Sequence, residues 1–267
     1  MNSSIPTTRY RLQFPPANAH SLQQDEVFFH IAEKDGLKTK LRFHDYAEIY
    51  RRPGLYEQLF YDRLKCTSPQ KVADMLSCAL ETDRSAPSAL RILDLGAGNG
   101  MMGEALKDKH GAARLVGADI IPEARDAAFR DRPDVYDEYY VADFTDLNEK
   151  HRELLADWSF DCLTSVAALG FGDIPPAAFF TALQLVKPDG WMAFNIKETF
   201  LHPSDQSGFS RFIRELIFSE YLEIYRLERY HHRLSMEGTP LFYFALVGRK
   251  TGTIPDDFLE RINGATP

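Results

Sequence analysis

The chain is expected to fold as an α/β protein, a three-layer doubly wound sheet of seven strands with an N-terminal helical cap. Three observations carry that expectation. Between Leu90 and Ile196, short runs rich in Ile, Leu and Val alternate with amphipathic segments, the texture of a parallel sheet covered on both faces. The first of those runs ends in an acid followed by three glycines at alternate positions. Ahead of the alternation, from Asp25 to Leu80, apolar residues recur at three- and four-residue intervals, as in helices.

Length and composition bound the reading. A chain of 267 residues suits one generous domain or one domain with an appendage. With 44% hydrophobic and 26% charged residues, wholesale disorder is excluded. The formal net charge is −8, and it is unevenly spread: residues 1–85 carry 12 basic and 11 acidic side chains, residues 86–267 carry 19 and 28. The larger part repels a polyphosphate backbone, so no nucleic-acid partner is expected. Cys66, Cys78 and Cys162 are odd in number and far apart, which suggests neither a disulfide framework nor a metal site and points to a reducing compartment. Met1 to His20 contains no apolar run of the kind a secretory signal needs. Cys162 to Val186 carries one charge, Asp173, but Gly170, Gly172, Pro175 and Pro176 divide it into strand, turn and helix. The expectation is a cytoplasmic protein with no membrane partner; oligomeric state is open.

In chain order, residues 1–20 are polar and Pro-bearing and read as a flexible tail. Residues 21–85 form the expected helical cap, with Ser68-Pro69 as a helix start and Glu81 to Ser88 as a polar breaker. Residues 86–250 form the core. Its strand candidates are Arg91–Leu95, Arg114–Ala118, Glu138–Ala142, Asp161–Ala167 and Trp191–Ile196; its helix candidates are Met101–Lys109, Pro122–Phe129, Asn148–Ala156 and Pro176–Val186. Phe209–Tyr221 reads as a further helix. Leu222–Leu234 and Pro240–Gly248, joined by Met236-Glu237-Gly238, read as a hairpin that closes the sheet. Residues 251–267 are left as a C-terminal tail.

The most informative segment is Arg91-Ile92-Leu93-Asp94-Leu95-Gly96-Ala97-Gly98-Asn99-Gly100, an apolar strand running through glycines into a helix. Glycines permit a tight turn at positive φ and let backbone N–H groups approach a ligand. A second strand, Leu115 to Ala118, ends in Asp119, where a doubly wound fold places a carboxylate for ribose hydroxyls. A third ends in Asp143-Phe144, an acid and an aromatic suited to the amino edge and face of adenine. A fourth ends at Val166-Ala167-Ala168. All four ends fall on the carboxyl edge of one sheet.

These pieces, with Leu185-Val186-Lys187-Pro188-Asp189-Gly190-Trp191, resemble the class I S-adenosylmethionine-dependent methyltransferases, a Rossmann-like family; Asp189 stands where the family's turn has its first glycine. The resemblance covers Leu90 to about Lys250. It implies S-adenosyl-L-methionine as cofactor, with Gly96, Ala97 and Gly98 beneath the methionine moiety and Asp94 nearby. By the same resemblance Asp119 holds the ribose, Ile120 packs on adenine, Asp143 and Phe144 address its amino edge and ring, and Val166 lines the floor. Phe43-His44-Asp45-Tyr46-Ala47-Glu48-Ile49-Tyr50 is similar to the segment preceding the core in the Williams–Beuren-region methyltransferase-like small-molecule group, which implies that Tyr46 and Tyr50 contact the cofactor from a helical lid. Here His44, Tyr46 and Arg51 replace that group's acid, Trp and second acid.

The expected function is methylation of a small-molecule acceptor, apolar or aromatic, at oxygen, nitrogen or carbon. In-line transfer from a sulfonium needs alignment above all, and no catalytic residue is singled out among Asp173, Lys197, Glu198, His202 and His44. The alternatives are a cofactor-binding protein without transfer activity and an NAD-dependent oxidoreductase. The last is disfavoured because Met101 occupies the third-glycine position of G-x-G-x-x-G. Arg226, Arg229, His231, His232 and Arg233 read as an edge strand whose charges fall on two faces.

Overall fold

The computed structural model describes residues 9–15, 27–32, 37–83, 89–110, 113–169, 173–202, 204–205 and 207–264. The N-terminal part contains strands where helices were expected: β1 (Arg11–Gln13), β2 (Phe28–Ala32) and β3 (Lys38–Arg42) form an antiparallel sheet. Phe29 lies opposite Leu41 and Ile31 opposite Thr39, and Phe29, Ile31 and Leu41 are all buried. The burial alternates with period two. Val27, Phe28 and Ile31 fit a helical spacing as well, and a run this short does not separate the two periods. Of the expected N-terminal tail, residues 1–8 and 16–20 lie outside the described residues, and Arg11–Gln13 is strand β1.

The helical part of the cap is short: α1 (Tyr46–Tyr50) and a π-helical turn, Glu57–Arg63. The next helix, α2 (Ser68–Thr82), starts at Ser68 with Pro69 in its first turn, as expected, and Thr67 is its N-terminal capping residue. Its buried face of Val72, Ala73, Met75, Leu76 and Ala79 packs with Ile92, Leu115 and Trp191 of the main sheet. This helix therefore belongs to the core layers and not to the cap.

The main sheet contains β4 (Arg91–Leu95), β5 (Arg114–Asp119), β6 (Glu138–Val141), β7 (Phe160–Ser165), β8 (Val186–Lys197), β9 (Leu222–Leu234) and β10 (Pro240–Lys250), in the spatial order β6-β5-β4-β7-β8-β10-β9. The five strands from β6 to β8 are parallel, and β10 runs antiparallel to both neighbours. Alternate residues of β4 face opposite layers: Ile92 joins the cluster under α2 and α3 (Met101–Lys109), whereas Leu93 and Leu95 join the one under α6 (Pro176–Gln184) and α7 (Phe209–Phe218). The remaining helices between strands are α4 (Pro122–Asp131) and α5 (Glu149–Asp157).

Two boundaries differ from expectation. The strand β8 starts at Val186, because Phe160 of β7 pairs with Val186 before a register shift brings Cys162 opposite Trp191; within it Asp189 has φ 63°, the left-handed conformation its glycine counterpart would adopt. The expected C-terminal tail carries helix α8 (Phe258–Gly264), and Ile254, Phe258 and Ile262 are buried against the α6 and α7 side. Apolar residues four apart, Phe258 and Ile262, put that helix against α6 and α7 instead of in solvent. Chain order reverses at β4, which has β5 on one side and β7 on the other, and the crevice at such a reversal is where ligands bind in doubly wound sheets.

Candidate functional site

The turn after β4 lies at that crevice. Gly96, Gly98 and Gly100 have φ of 73°, 55° and 91°, a region that side chains with a Cβ disfavour. Backbone bonds pin the turn: Gly96 N and Ala97 N donate to Ala118 O at 2.8 and 3.0 Å. Gly98 N donates to Asp119 Oδ2 at 3.0 Å, and Gly98 O accepts from the Tyr139 hydroxyl at 2.8 Å. Asp119 Oδ1 accepts from Ile121 N at 3.0 Å. Burial pushes the Asp119 carboxyl up, against the pull of these backbone N–H groups.

A cavity of about 340 Å³ opens over the turn. Gly96, Ala97 and Gly98 line it, as do Asp119, Ile120, Asp143, Phe144 and Val166 from the strand ends and Tyr46 and Tyr50 from the cap. Asp143 Oδ1 accepts from Thr145 N and Oγ1, at 2.8 and 2.6 Å, which holds the carboxylate at the rim and its pKa low. Asp94, expected near the methionine moiety, is not part of the wall. It is 1% exposed and turns into the core, where it accepts from the Tyr136 hydroxyl and Thr164 Oγ1, both at 2.7 Å. Burial pushes its carboxyl up to about 6.

The cap closes the cavity from above. Tyr46 and Tyr50 stack at 6.1 Å, and Tyr50 meets Tyr56 at 5.2 Å. A Cβ on Gly98 would come within 2.5 Å of the Tyr50 hydroxyl, so the glycine gives that side chain its seat. Helix α1 is held there by the Arg51–Glu123 ion pair and by Arg130 Nη1 donating to Tyr50 O at 3.0 Å. Beneath it, Arg132 and Asn99 both donate to Glu57 Oε1, at 2.9 and 2.7 Å, tying the π-helical turn to the glycine turn. Tyr56, Tyr61 and Thr145 also line the cavity and were not anticipated; in sequence they carry no spacing that distinguishes them from packing residues.

A second cavity of about 340 Å³ adjoins the first and shares Tyr46, Tyr56, Ala167, Ala168 and Asp173 with it. Its other walls come from Phe43 and His44 of the cap and from His232, Arg233 and Tyr243 of the β9–β10 hairpin. At the junction Ala167 has φ 58°, and its N–H donates to Asn195 Oδ1 at 2.6 Å. Asn195 is buried and donates in turn to Ser68 Oγ and the Tyr230 hydroxyl, at 3.2 and 2.8 Å, so a polar network in the core holds a strained residue where the two cavities meet.

Of the acid–base candidates read from sequence, His44 and Asp173 come together, with His44 Nδ1 3.3 Å from Asp173 Oδ1. The others do not join them: Glu198 pairs with Arg229, His202 Nδ1 contacts Ser204 Oγ, and burial lowers the Lys197 ammonium. The basic run on β9 divides as alternation requires at its outer end, but His232 is buried and Arg233 faces the second cavity.

The first cavity fits a nucleoside cofactor. Its floor is a glycine cradle, one half-buried carboxylate with further lone pairs stands at the end of β5, and a rim carboxylate with an aromatic ring stands beyond β6. Together with the reversed strand order and the antiparallel closing pair, these features define the class I S-adenosylmethionine-dependent methyltransferase fold. Residues 63–231 match the sequence model of the Methyltransferase domain family, and the chain belongs to that family. Solved structures share the fold at low identity. N-methyltransferase NodS from Bradyrhizobium japonicum WM9, in complex with S-adenosyl-L-homocysteine, is 12% identical with a TM-score of 0.50, over 78% of this chain and 97% of that one. The CurJ carbon methyltransferase is 12% identical with a TM-score of 0.54, over 76% of this chain and 59% of that one. No curated protein matches the sequence. Among the described residues, no helix is long and apolar enough to cross a membrane. The cofactor of the class is S-adenosyl-L-methionine.

Proposed function

We propose that the chain methylates a small-molecule acceptor. The observation that carries this reading is the meeting of two cavities at Tyr46, Tyr56, Ala167, Ala168 and Asp173, one floored by the glycine turn and the other walled by cap and hairpin. S-adenosyl-L-methionine supplies a methyl group activated on a sulfonium sulfur. Gly96, Ala97 and Gly98 would hold its amino-acid end by backbone groups, Asp119 its ribose hydroxyls, and Asp143, Phe144 and Ile120 its adenine. Tyr46 and Tyr50 exclude water over the turn, which favours an alignment-limited displacement. The acidic balance of residues 86–267, with 19 basic against 28 acidic side chains, favours a small acceptor over a nucleic acid.

Isothermal titration of the full chain with S-adenosyl-L-methionine, S-adenosyl-L-homocysteine and NAD tests the reading. Saturable binding of the first two and none of NAD is expected. Failure to bind S-adenosyl-L-homocysteine would sink it.

A further inference from the structure

The second cavity has a definite chemical character. Aromatic rings of Phe43, Tyr46, Tyr56, Phe60 and Tyr243 surround it, which suits a flat apolar body. Its cation is Arg233, whose Nη1 donates to Leu234 O at 2.9 Å and whose guanidinium lies 5.7 Å from the Phe43 ring. Among the described residues no carboxylate forms an ion pair with Arg233. A guanidinium carries five N–H donors in a fixed fork, so one backbone contact leaves this one equipped to take an anion. The two acids in the wall are engaged elsewhere, Asp173 with His44 and Glu237 with the Ser235 hydroxyl.

The wall holds two histidines. His232 Nδ1 lies 2.6 Å from Ser68 Oγ, its ring packs on Tyr243 at 4.0 Å, and burial depresses its basicity. It is a core residue. His44 lines the second cavity, edge-on to Tyr46 at 5.7 Å and with Nδ1 directed to Asp173, two residues that line both cavities. A carboxylate on Nδ1 fixes the tautomer with the proton on that nitrogen and gives the basic lone pair to Nε2.

Resting on the methyltransferase reading above, we propose that the second cavity is the acceptor site, that it takes a small hydroxylated aromatic acid, and that His44 is the catalytic base. Arg233 binds the acceptor's carboxylate, the rings hold its body, and the hydroxyl meets His44 beside the shared wall. As the hydroxyl oxygen forms its bond to the methyl carbon, the carbon–sulfur electron pair stays on sulfur and the hydroxyl proton passes to His44 Nε2. The products are a methyl ether, a neutral thioether and an imidazolium paired with Asp173, which then returns its proton to solvent. Asp173 is the positioning residue.

The test titrates 4-hydroxybenzoate and 4-hydroxycinnamate, with their methyl esters as controls, into the full chain saturated with S-adenosyl-L-homocysteine. At least one acid should bind, and Arg233→Gln should weaken it by about tenfold or more, the worth of a charge-assisted hydrogen bond, while leaving ester affinity unchanged. If neither acid binds, or Arg233→Gln binds the acids as tightly as the natural protein, the proposal is overturned. With labelled S-adenosyl-L-methionine and the bound acid, His44→Gly should lose about 100-fold in kcat and recover part of it on addition of imidazole. His44→Gln should show the same loss, and both variants should retain affinity for S-adenosyl-L-homocysteine, which certifies the fold. Asp173→Asn should lower kcat about tenfold with KM unchanged. Natural kcat in His44→Gly, absence of imidazole rescue, or a raised KM with natural kcat in Asp173→Asn would each overturn the base assignment. Loss of S-adenosyl-L-homocysteine binding by the natural protein would instead strike the methyltransferase reading itself.

Discussion

The two cavities are equal in volume and differ in how they are made. The one over the glycine turn is floored by main chain: three residues at positive φ, backbone N–H groups satisfied by Ala118 and Asp119, and no Cβ at Gly98, where the Tyr50 hydroxyl is seated. Its neighbour is walled by side chains from three distant stretches, around His44, Asp173 and Arg233. A site made of backbone tolerates few substitutions, because any side chain placed there collides. A site made of side chains can be retuned one residue at a time, so it is the natural place for acceptor specificity to reside.

The largest effect that would break this contrast comes from Gly96→Val. A Cβ at Gly96 would lie 2.7 Å from both Ala168 Cβ and Ile174 Cδ1, at φ 73°. The residue is thus required by packing within the protein as well as by ligand clearance. Left-handed strain of about 1–2 kcal/mol and overpacking of about 1–3 kcal/mol predict a marked fall in the urea midpoint together with loss of S-adenosyl-L-homocysteine binding. Natural stability with binding abolished would show that the glycine serves the ligand alone.

Asp94→Asn comes next, because it tests whether the acid preceding the turn is structural. With its carboxyl raised from the ordinary 3.8 to about 6, Asp94 favours folding below its ordinary value, and that contribution is lost as pH rises through about 6. The loss is on the order of 2–3 kcal/mol. An amide at this position accepts from one hydroxyl neighbour and donates to the other without a charge to bury. The variant's stability relative to the natural protein should therefore climb between about pH 4 and pH 6 and level off above, as read from denaturant titrations across that range. A pH-independent difference would show that the carboxylate is not penalised by burial.

The same contrast explains what sequence reveals. Backbone sites leave local signatures: Gly96, Gly98 and Gly100 at alternate positions, and Asp119 and Asp143 each closing an apolar run. Those signals predicted the sheet, and the family resemblances read beside them implied ten residues that line the first cavity. They misplaced Asp94, because proximity along the chain does not say that its carboxylate turns inward to Tyr136 and Thr164. The side-chain site left no such trace, since His44 and Asp173 are 129 positions apart and meet only through the fold. In the cap, a five-residue strand such as β2 is too short for its period to be told from a helix, and the pairing of Phe29 with Leu41 that decides the matter is non-local. The buried face of α8 was equally hidden, because one pair of apolar residues at helical spacing is weak evidence by itself.

Asp119→Ala should have a smaller effect that stays within the first cavity. It removes the acceptor of Gly98 N and Ile121 N along with the carboxylate proposed to hold the ribose, and should weaken S-adenosyl-L-homocysteine binding by about 1.5–3 kcal/mol in calorimetry. Undiminished affinity would move the ribose away from the end of β5.

The smallest effect is expected at Arg51, whose pairs with Glu48 and Glu123 fasten the outside of α1. The Arg51 side chain is 54% exposed, and a solvent-exposed ion pair gains little that water and salt do not take back. The inner side of the same helix has the Tyr46–Tyr50–Tyr56 contacts and the Arg130 bond to Tyr50 O, none of which Arg51 touches. Arg51→Gln should therefore leave the thermal midpoint unchanged and reduce S-adenosyl-L-homocysteine affinity slightly at low ionic strength, a difference that disappears in high salt. If the variant instead loses affinity as Asp119→Ala does, and keeps that loss in high salt, the cap is held over the glycine turn by Arg51 and not by its aromatic underside.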